Sequence, residues 1–161
     1  MSCSVKTGLN LYTAAAILAS TAGNLATALY AVSNDKFALT GIFQDKAGSG
    51  QLRTFNLYQT TTGGVLATGA LRVDLYADST ALGVASGALY DTTASNIIGI
   101  INIETTDWVT IDATQSMACK QLDLPVWAET NSTSLYGFLV NKEPVDLTSS
   151  TFSVLAAVAN S

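Results

Sequence analysis

Few residues of this 161-residue chain could carry out chemistry, and their spacing completes no catalytic motif. Ser33 and Lys36 fit the S-x-x-K pattern of penicillin-recognising serine enzymes, and Lys6-Thr7-Gly8 fits their K-T-G element. In those enzymes the K-T-G element follows the nucleophile, whereas here it precedes it, and no S-D-N element is present. We therefore interpret both matches as coincidence.

The chain contains no histidine. Apart from the two cysteines, the remaining candidates for chemistry are therefore carboxylates. The absence of histidine removes the commonest general base and metal ligand, and every Ser-His or Cys-His nucleophile pair. Asp74 and Asp78, and likewise Asp107 and Asp112, could approach each other across turns, but no D-x-[DN]-x-[DN]-G calcium loop is present. We expect these aspartates to lie in exposed turns and to accept backbone hydrogen bonds. We expect the protein to bind no metal or cofactor and not to be an enzyme. A hydrolase working through carboxylates alone is a minor alternative.

The two cysteines, Cys3 and Cys119, are too few for a disulfide framework and lack metal-ligand spacing. Two reduced thiols are the expected state, with a single bridge as the alternative. Reduced thiols favour assembly in a reducing cytosol.

The composition predicts a surface that other polypeptides cover. Charged residues make up 12% of the chain, about half the ~25% usual in soluble domains. The net charge is −5 with only seven Lys and Arg, so no basic stripe for nucleic acid exists. In their place stand 23 Ala, 21 Thr and 15 Ser. A free monomer normally relies on charge for colloidal stability, so such a surface favours burial against a neighbour.

Most of the chain after Ser33 alternates with period two, which predicts strands. Residues 52–76 are predicted to form one long hairpin, because TTTGG at 60–64 separates two alternating runs. The Ile-rich stretch Asn96–Glu104 is predicted at the centre of a sheet, and Pro125 at an edge or bulge. Further predicted strands are Phe37–Gln44, Ala81–Leu89, Trp108–Ala113, Ala118–Trp127, Ser134–Asn141 and Phe152–Val158.

The first 34 residues differ from the rest. Their longest strongly apolar piece, Ala14–Ala19, is far short of the ~20 residues of a membrane span. We expect an all-β protein with an N-terminal arm over residues 1–34 and an antiparallel β-sandwich over residues 35–161. A helix over part of residues 11–31 is the alternative to an extended arm, because Ala and Leu there approximate a 3.6-residue stripe.

Aromatic residues support a second, different hypothesis. Trp108, Trp127, Tyr58, Tyr76 and Tyr136 could line a sugar-binding platform, as in a carbohydrate-binding or adhesin module on a virion fibre or cell surface. Ordinary packing of strand aromatics is the favoured interpretation.

The C-terminal quarter, from Cys119-Lys120-Gln121-Leu122-Asp123-Leu124-Pro125 through TSLYGFLVNKEPVDLTSSTFSVLAAV, is similar to small all-β structural proteins of tailed bacteriophages. A Leu-Tyr-Gly strand, a turn with Glu143-Pro144 and a final alternating strand carry the resemblance, together with the arm, which has no charged residue from Thr7 to Ser33. Capsid decoration (cement) proteins are the family it resembles. The resemblance implies a jelly-roll-like β-sandwich, a homotrimer, and a place on the outer surface of an icosahedral virion whose major capsid protein is the partner.

That resemblance predicts a function without catalysis: bridging neighbouring capsid subunits after assembly in the host cytoplasm, with no membrane and no nucleic-acid contact. An extended arm can add to a neighbour's sheet through backbone hydrogen bonds. The apolar arm residues expected to contact the partner are Val5, Leu9, Leu11, Tyr12, Ile17 and Leu18.

Overall fold

The protein is almost entirely β-structure in a computed structural model that describes residues 11–18, 23–25, 29–32, 35–62, 66, 69–90 and 96–161. A one-turn 3-10 helix lies at Thr105–Asp107. The strands within these residues are β1 (Leu11–Leu18), β2 (Gly23–Leu25), β3 (Phe37–Leu39), β4 (Ser49–Thr61), β5 (Leu71–Tyr76), β6 (Ile97–Ile103), β7 (Trp108–Thr110), β8 (Gln115–Trp127), β9 (Leu135–Asn141), β10 (Val145–Leu147) and β11 (Ser150–Asn160).

Two antiparallel sheets form a sandwich. The five-stranded sheet has the order β1-β11-β4-β8-β7 and the four-stranded sheet the order β3-β9-β5-β6, while β2 pairs with β10. Without β7, eight sandwich strands remain; numbered along the chain, they are ordered 1-8-3-6 and 2-7-4-5. That interleaving is the jelly roll, so the predicted all-β, jelly-roll-like sandwich is confirmed.

The core lies between the two sheets because each strand buries alternate residues. Phe55 and Phe152 point inward from the five-stranded sheet and meet Val73 and Leu139 from the other, all of them fully buried. Burial of each such side chain contributes about 1.5–3 kcal/mol. The β-branched and aromatic residues at these positions are the types that suit a pleated, half-buried surface.

The predicted hairpin over residues 52–76 is wrong. β4 pairs with β11 and β8 in one sheet, whereas β5 pairs with β6 and β9 in the other. Alternation identifies which face of a strand is buried, but it does not identify the strand's partner. β4 and β5 therefore lie in different sheets, and the strands they pair with are mostly far away in the sequence.

Two other strand predictions are also corrected. The Ile-rich β6 is an edge strand rather than a central one, and Ile100 and Asn102 are exposed on it. Its apolar residues are shared between the core and the outside of the sheet. Residues 81–85 form no strand, and only Leu89 makes an isolated bridge, to Tyr30.

The N-terminal stretch is extended within its described part. Residues 11–18 form the edge strand β1, paired along its length with β11 of the same chain, rather than the alternative helix. The arm was expected to reach a neighbour, and these residues instead complete the protein's own sheet, with Ala14 and Leu18 in its core. Residues 1–10 lie outside the described residues.

Pro125 occupies the predicted kind of position. β7 pairs only with residues 116–118 of β8, so the remainder of β8 borders β4 alone and forms an open edge. Pro125 lies in that open part, opposite Gln51. A proline is tolerated there because no second strand requires its missing N–H.

Candidate functional site: an uncharged sheet face

The five-stranded sheet presents one face to the outside, and strand alternation determines which residues form it. None of its strand residues is buried, whereas their neighbours in sequence point into the core. We call this surface the outer face. It consists of odd-numbered residues 11–17 of β1 and 151–157 of β11, even-numbered residues 54–60 of β4, odd-numbered residues 115–127 of β8, and Val109 of β7.

The outer face is almost free of charge. The five strands contain three charged residues, and one of them, Lys120, pairs with Asp107 of the 3-10 helix at 2.9 Å. The other two, Arg53 and Asp123, are paired with each other at 2.9 Å near one end of the sheet. The scarcity of charged residues seen in the composition is therefore pronounced on this face. Its polar side chains are mainly those of Thr, Ser, Asn and Gln.

A row of side chains, apolar except for Ser153, crosses the outer face perpendicular to the strands. Register places Ile17 opposite Ser153, Ser153 opposite Tyr58, Tyr58 opposite Met117, and Met117 opposite Val109. With strands about 4.8 Å apart, this row is about 19 Å long. Its two ends are the most exposed large apolar side chains of the described chain, with Ile17 82% and Val109 61% exposed.

More exposed apolar residues adjoin this row. Leu155 stands on β11 between Ala15 and Asn56, and Ile111 continues from Val109 toward Gln115. Nine large apolar side chains are exposed among the described residues, and six of them lie on or beside this sheet's outer side. Contiguous exposed apolar surface in a soluble protein marks an interaction site, so the outer face is the candidate functional site.

The outer side of the four-stranded sheet, in contrast, is covered over its two central strands, β9 and β5. Residues 82–90 pack over it and bury a second apolar cluster, formed around Tyr90, Phe138 and Val140 with Leu82 and Val84 against it. The rings of Tyr90 and Phe138 stack with centroids 4.8 Å apart. As a result β9 has only one residue, Tyr136, that is not fully buried. Among the described residues, the four-stranded sheet is open to the outside mainly at its edge strand β6, so the five-stranded sheet offers the larger free face.

A buried polar cluster fixes this covering segment to the sheet. Asp74 on β5 is fully buried; Arg72 Nε lies 2.8 Å from its Oδ1, and Arg72 Nη2 donates to its Oδ2 at 2.9 Å. Tyr90 Oη also donates to Asp74 Oδ2, at 2.8 Å, and lies 2.7 Å from Tyr76 Oη. Because the single hydroxyl proton of Tyr90 goes to the carboxylate, Tyr76 donates to Tyr90. Asp74 was expected in an exposed turn, and that expectation is wrong.

A second anchor holds the start of the covering segment. Lys36 Nζ pairs with Asp78 Oδ1 at 3.1 Å and lies 4.0 Å from the centre of the Tyr76 ring. The carboxylate of Asp35 accepts hydrogen bonds from the backbone N–H groups of Leu82 and Gly83. Burial alone would raise the pKa of Asp78, but the hydrogen bond and charge of Lys36 lower it below its usual value. Lys36 is thus part of a structural ion pair, which is not the role of a catalytic base.

The tyrosine pair predicts a loss of stability at alkaline pH. Burial first, and then hydrogen bonds to Tyr76 and Asp74, raise the pKa of Tyr90 far above its usual value of 10.0; burial also raises the pKa of Tyr76. A pKa that is higher in the folded than in the unfolded state gives stability below the unfolded value that is lost above it. We expect the free energy of unfolding to fall above pH ~10, by up to about 1.4 kcal/mol per pH unit for each such tyrosine.

Urea unfolding of wild type and Tyr90→Phe between pH 8 and 11 measures this effect. The variant is expected to lose less stability per pH unit than wild type over that range. Equal slopes for the two proteins would show that Tyr90 ionises no differently in the folded and unfolded states.

The structure separates the residues that were expected to contact a partner. Leu11 and Ile17 lie on the outer face and are exposed, whereas Leu18 is 2% exposed and Tyr12, half-buried, alternates toward the core side of β1. The face available to a partner therefore contains two of the predicted residues and is mainly built by four other strands. Val5 and Leu9 lie outside the described residues.

The aromatic residues proposed as a sugar platform are not brought together. Tyr76 is buried, and the indole N–H of Trp108 donates to Gly69 O at 3.0 Å. Tyr58 and Trp127 share the outer face, but Tyr58 pairs with Met117, ten residues along β8 from Trp127. Tyr136 belongs to the other sheet. No flat aromatic surface results from these five side chains.

The remaining chemical expectations concern metals, thiols and membranes. Among the described residues, no group of three or more Cys, Asp and Glu side chains is placed to hold a metal ion. Asp78 and Asp112 accept hydrogen bonds from the backbone N–H groups of Thr80 and Thr114, as expected for turn aspartates. Cys119 is an exposed free thiol; Cys3, Ser33 and residues 6–8 lie outside the described residues. No helix in the described ranges is long and apolar enough to cross a bilayer.

The solved structures that the chain is similar to include two matches of low similarity. No protein-family model and no curated protein matches the chain. An arabinose-bound MgGH51 α-L-arabinofuranosidase matches with a TM-score of 0.37 and 13% identity over 81% of this chain, which spans only 18% of that enzyme. Desmodium yellow mottle tymovirus matches with a TM-score of 0.32 and 13% identity over 100% of this chain and 93% of the viral chain. At these TM-scores neither similarity decides a function.

Proposed function

We propose that this protein is a non-enzymatic structural component of a virus particle and that its outer face packs against other protein subunits. The observation that carries the proposal is the sheet face that is almost free of charge and is crossed by an apolar row from Ile17 to Val109. Covering it removes apolar surface from water without desolvating unpaired charges, which favours a protein neighbour.

Other partner classes fit this face less well. A nucleic acid would need several Lys or Arg side chains to neutralise phosphates, and the five strands of this sheet contain only Arg53 and Lys120, both already paired. A carbohydrate site would need aromatic rings grouped around a sugar, and Tyr58 and Trp127 are far apart along the strands. Protein subunits, by contrast, bind through apolar cores with polar, uncharged surroundings.

The more specific part of the proposal concerns the place in the particle. The similarity of the C-terminal quarter to capsid decoration proteins supports a trimer on the outer surface of an icosahedral shell, bound to the major capsid protein. The jelly roll is compatible with this role, because viral capsid domains commonly have it, as do lectins. The exposed thiol of Cys119 is compatible with assembly in a reducing host cytoplasm.

Co-sedimentation with shells assembled from the major capsid protein of the same virus tests the proposal. Wild type is expected in the shell fraction at a fixed ratio to the capsid protein. Val109→Glu places an unpaired charge at one end of the apolar row and is expected to weaken binding at least 30-fold, the effect of removing a strong interface residue (about 2 kcal/mol).

Leu89→Glu is the matched control, because Leu89 is 58% exposed but lies on the covering segment, away from the outer face. It is expected to bind shells as wild type does. Wild type that remains in the supernatant, or two variants that bind equally well, would contradict the proposal. The molecular mass of the free protein tests the trimer separately.

A further inference from the structure

The free edge of β1 differs from every other sheet edge in the described structure. β1 is eight residues long and contains no charged residue, proline or glycine. It pairs with β11 without a register shift, and β11 is its only strand partner among the described residues. A long, regular, uncharged edge is a template for pairing with another strand, which natural proteins normally block.

The other edges carry such blocks. β7 and β3 are three residues long, and the open part of β8 contains Asp123 and Pro125. β6 has a register shift beside Tyr76, and its Gly99 lies against Leu124 of the opposite sheet, since a Cβ there would be 2.9 Å from Leu124 Cδ2. The unprotected state of β1 is therefore a specific feature of this one strand.

The strand is complementary to itself. Residues opposite each other in an antiparallel pair point to the same face, so odd-numbered residues of one copy must face odd-numbered residues of the other. With Ala14 opposite Ala14 of a second copy, Leu11 faces Ile17 and Thr13 faces Ala15. This register brings together the two exposed apolar side chains of the strand, and no charge on either strand opposes it.

We propose that β1 pairs antiparallel with β1 of a second copy of this chain, about a two-fold axis through Ala14. The pairing joins two five-stranded sheets into one sheet of ten strands and makes their outer faces continuous. In a particle built from trimers, the same contact links one trimer to the next. The inference goes beyond shell binding and does not depend on it.

Cysteine cross-linking tests the register. In a Cys3→Ser/Cys119→Ser background, Thr13→Cys and Ala15→Cys together place two thiol pairs opposite each other across the axis, within the Cα separation that a disulfide requires. Mild oxidation is expected to give a covalent dimer in most of the protein. Thr60→Cys in the same background, exposed on β4 away from the edge, is the matched control and is expected to give no covalent dimer. Equal yields from both would overturn the inference.

Charge reversal provides a second readout that does not depend on oxidation. Thr13→Lys/Ala15→Lys and Thr13→Glu/Ala15→Glu each place like charges opposite each other across the axis and are expected to weaken self-association about tenfold. An equimolar mixture of the two variants is expected to restore it as a heterodimer, measured by sedimentation velocity. Association that is unchanged in the separate variants, or not restored by mixing, would contradict β1 pairing. Val109→Glu is expected to keep self-association, so loss of shell binding and loss of pairing are distinguishable.

Discussion

Replacing Asp74 with alanine is expected to lower the free energy of unfolding by about 3–5 kcal/mol, which is the usual cost of removing one partner from a buried ion pair. The variant leaves the Arg72 guanidinium without its carboxylate and the Tyr90 hydroxyl without its acceptor. Because Tyr90 belongs to the covering segment, that segment is expected to loosen first. Urea unfolding followed by circular dichroism measures the loss.

Asp123→Ala is the matched control. Asp123 also pairs with an arginine, at 2.9 Å, but both side chains are exposed, so its loss is expected to cost less than ~1 kcal/mol. Replacing the whole buried group, as in Arg72→Met/Asp74→Leu/Tyr76→Phe/Tyr90→Phe, is expected to recover most of the stability, since no polar side chain of the cluster is then left without its partner. An Asp74→Ala protein as stable as Asp123→Ala would contradict the structural role of the cluster.

Substitutions at two residues of β11, Phe152 and Leu155, are expected to distinguish effects on folding from effects on assembly. Phe152 is fully buried in the core, so Phe152→Ala is expected to cost about 3–5 kcal/mol of unfolding free energy. Leu155 lies on the outer face and is 39% exposed, so Leu155→Ala is expected to cost less than about 1 kcal/mol but to weaken shell binding. Urea unfolding and co-sedimentation of both variants provide the two measurements.

The contrast between these two variants is informative because they lie on one strand, three residues apart. If the outer face is only solvated surface, every variant that folds is expected to bind shells as wild type does. Normal shell binding by a stable Leu155→Ala protein would therefore count against the face as an interface. A large loss of stability in that variant would show that Leu155 supports the fold.

The sequence predicts local features well where alternation alone defines them. The strands β8, β9 and β11 occur close to their predicted bounds, and Pro125 lies at the predicted open edge. Alternation succeeds here because one side of each strand is buried and the other is not. The all-β sandwich follows from the same pattern repeated along the chain.

Pairing partners depend on distant parts of the chain, and alternation contains no such information. β4 pairs with strands that end at residues 127 and 160, so a glycine-rich turn after it was a misleading signal for a hairpin. Asp74 looked like a turn aspartate because its partner Tyr90 is sixteen residues away. That the Asp74 carboxylate is buried can be recognised only once the positions of its partners Arg72 and Tyr90 in the fold are known.

The outer face was likewise only partly predictable. Low charge predicted a covered surface but could not locate it, because the apolar row combines residues from five strands between positions 17 and 153. The lack of charged residues from Thr7 to Ser33 distinguishes the N-terminal stretch from the rest of the sequence. Its described part turned out to be the edge strand that completes this face.

Cys119 provides the most direct test of whether other polypeptides cover the outer face. Its thiol is exposed near the centre of that face, opposite Asn56 and two residues from Met117. In a Cys3→Ser background, the rate of alkylation by N-ethylmaleimide can be compared between the free protein and the assembled particle. Cys119 is expected to react readily in the free protein and roughly tenfold or more slowly in the particle, because the core of a protein interface is packed as densely as a protein interior. Equal rates in the two states would show that this face remains open to solvent and would contradict its coverage by other polypeptides.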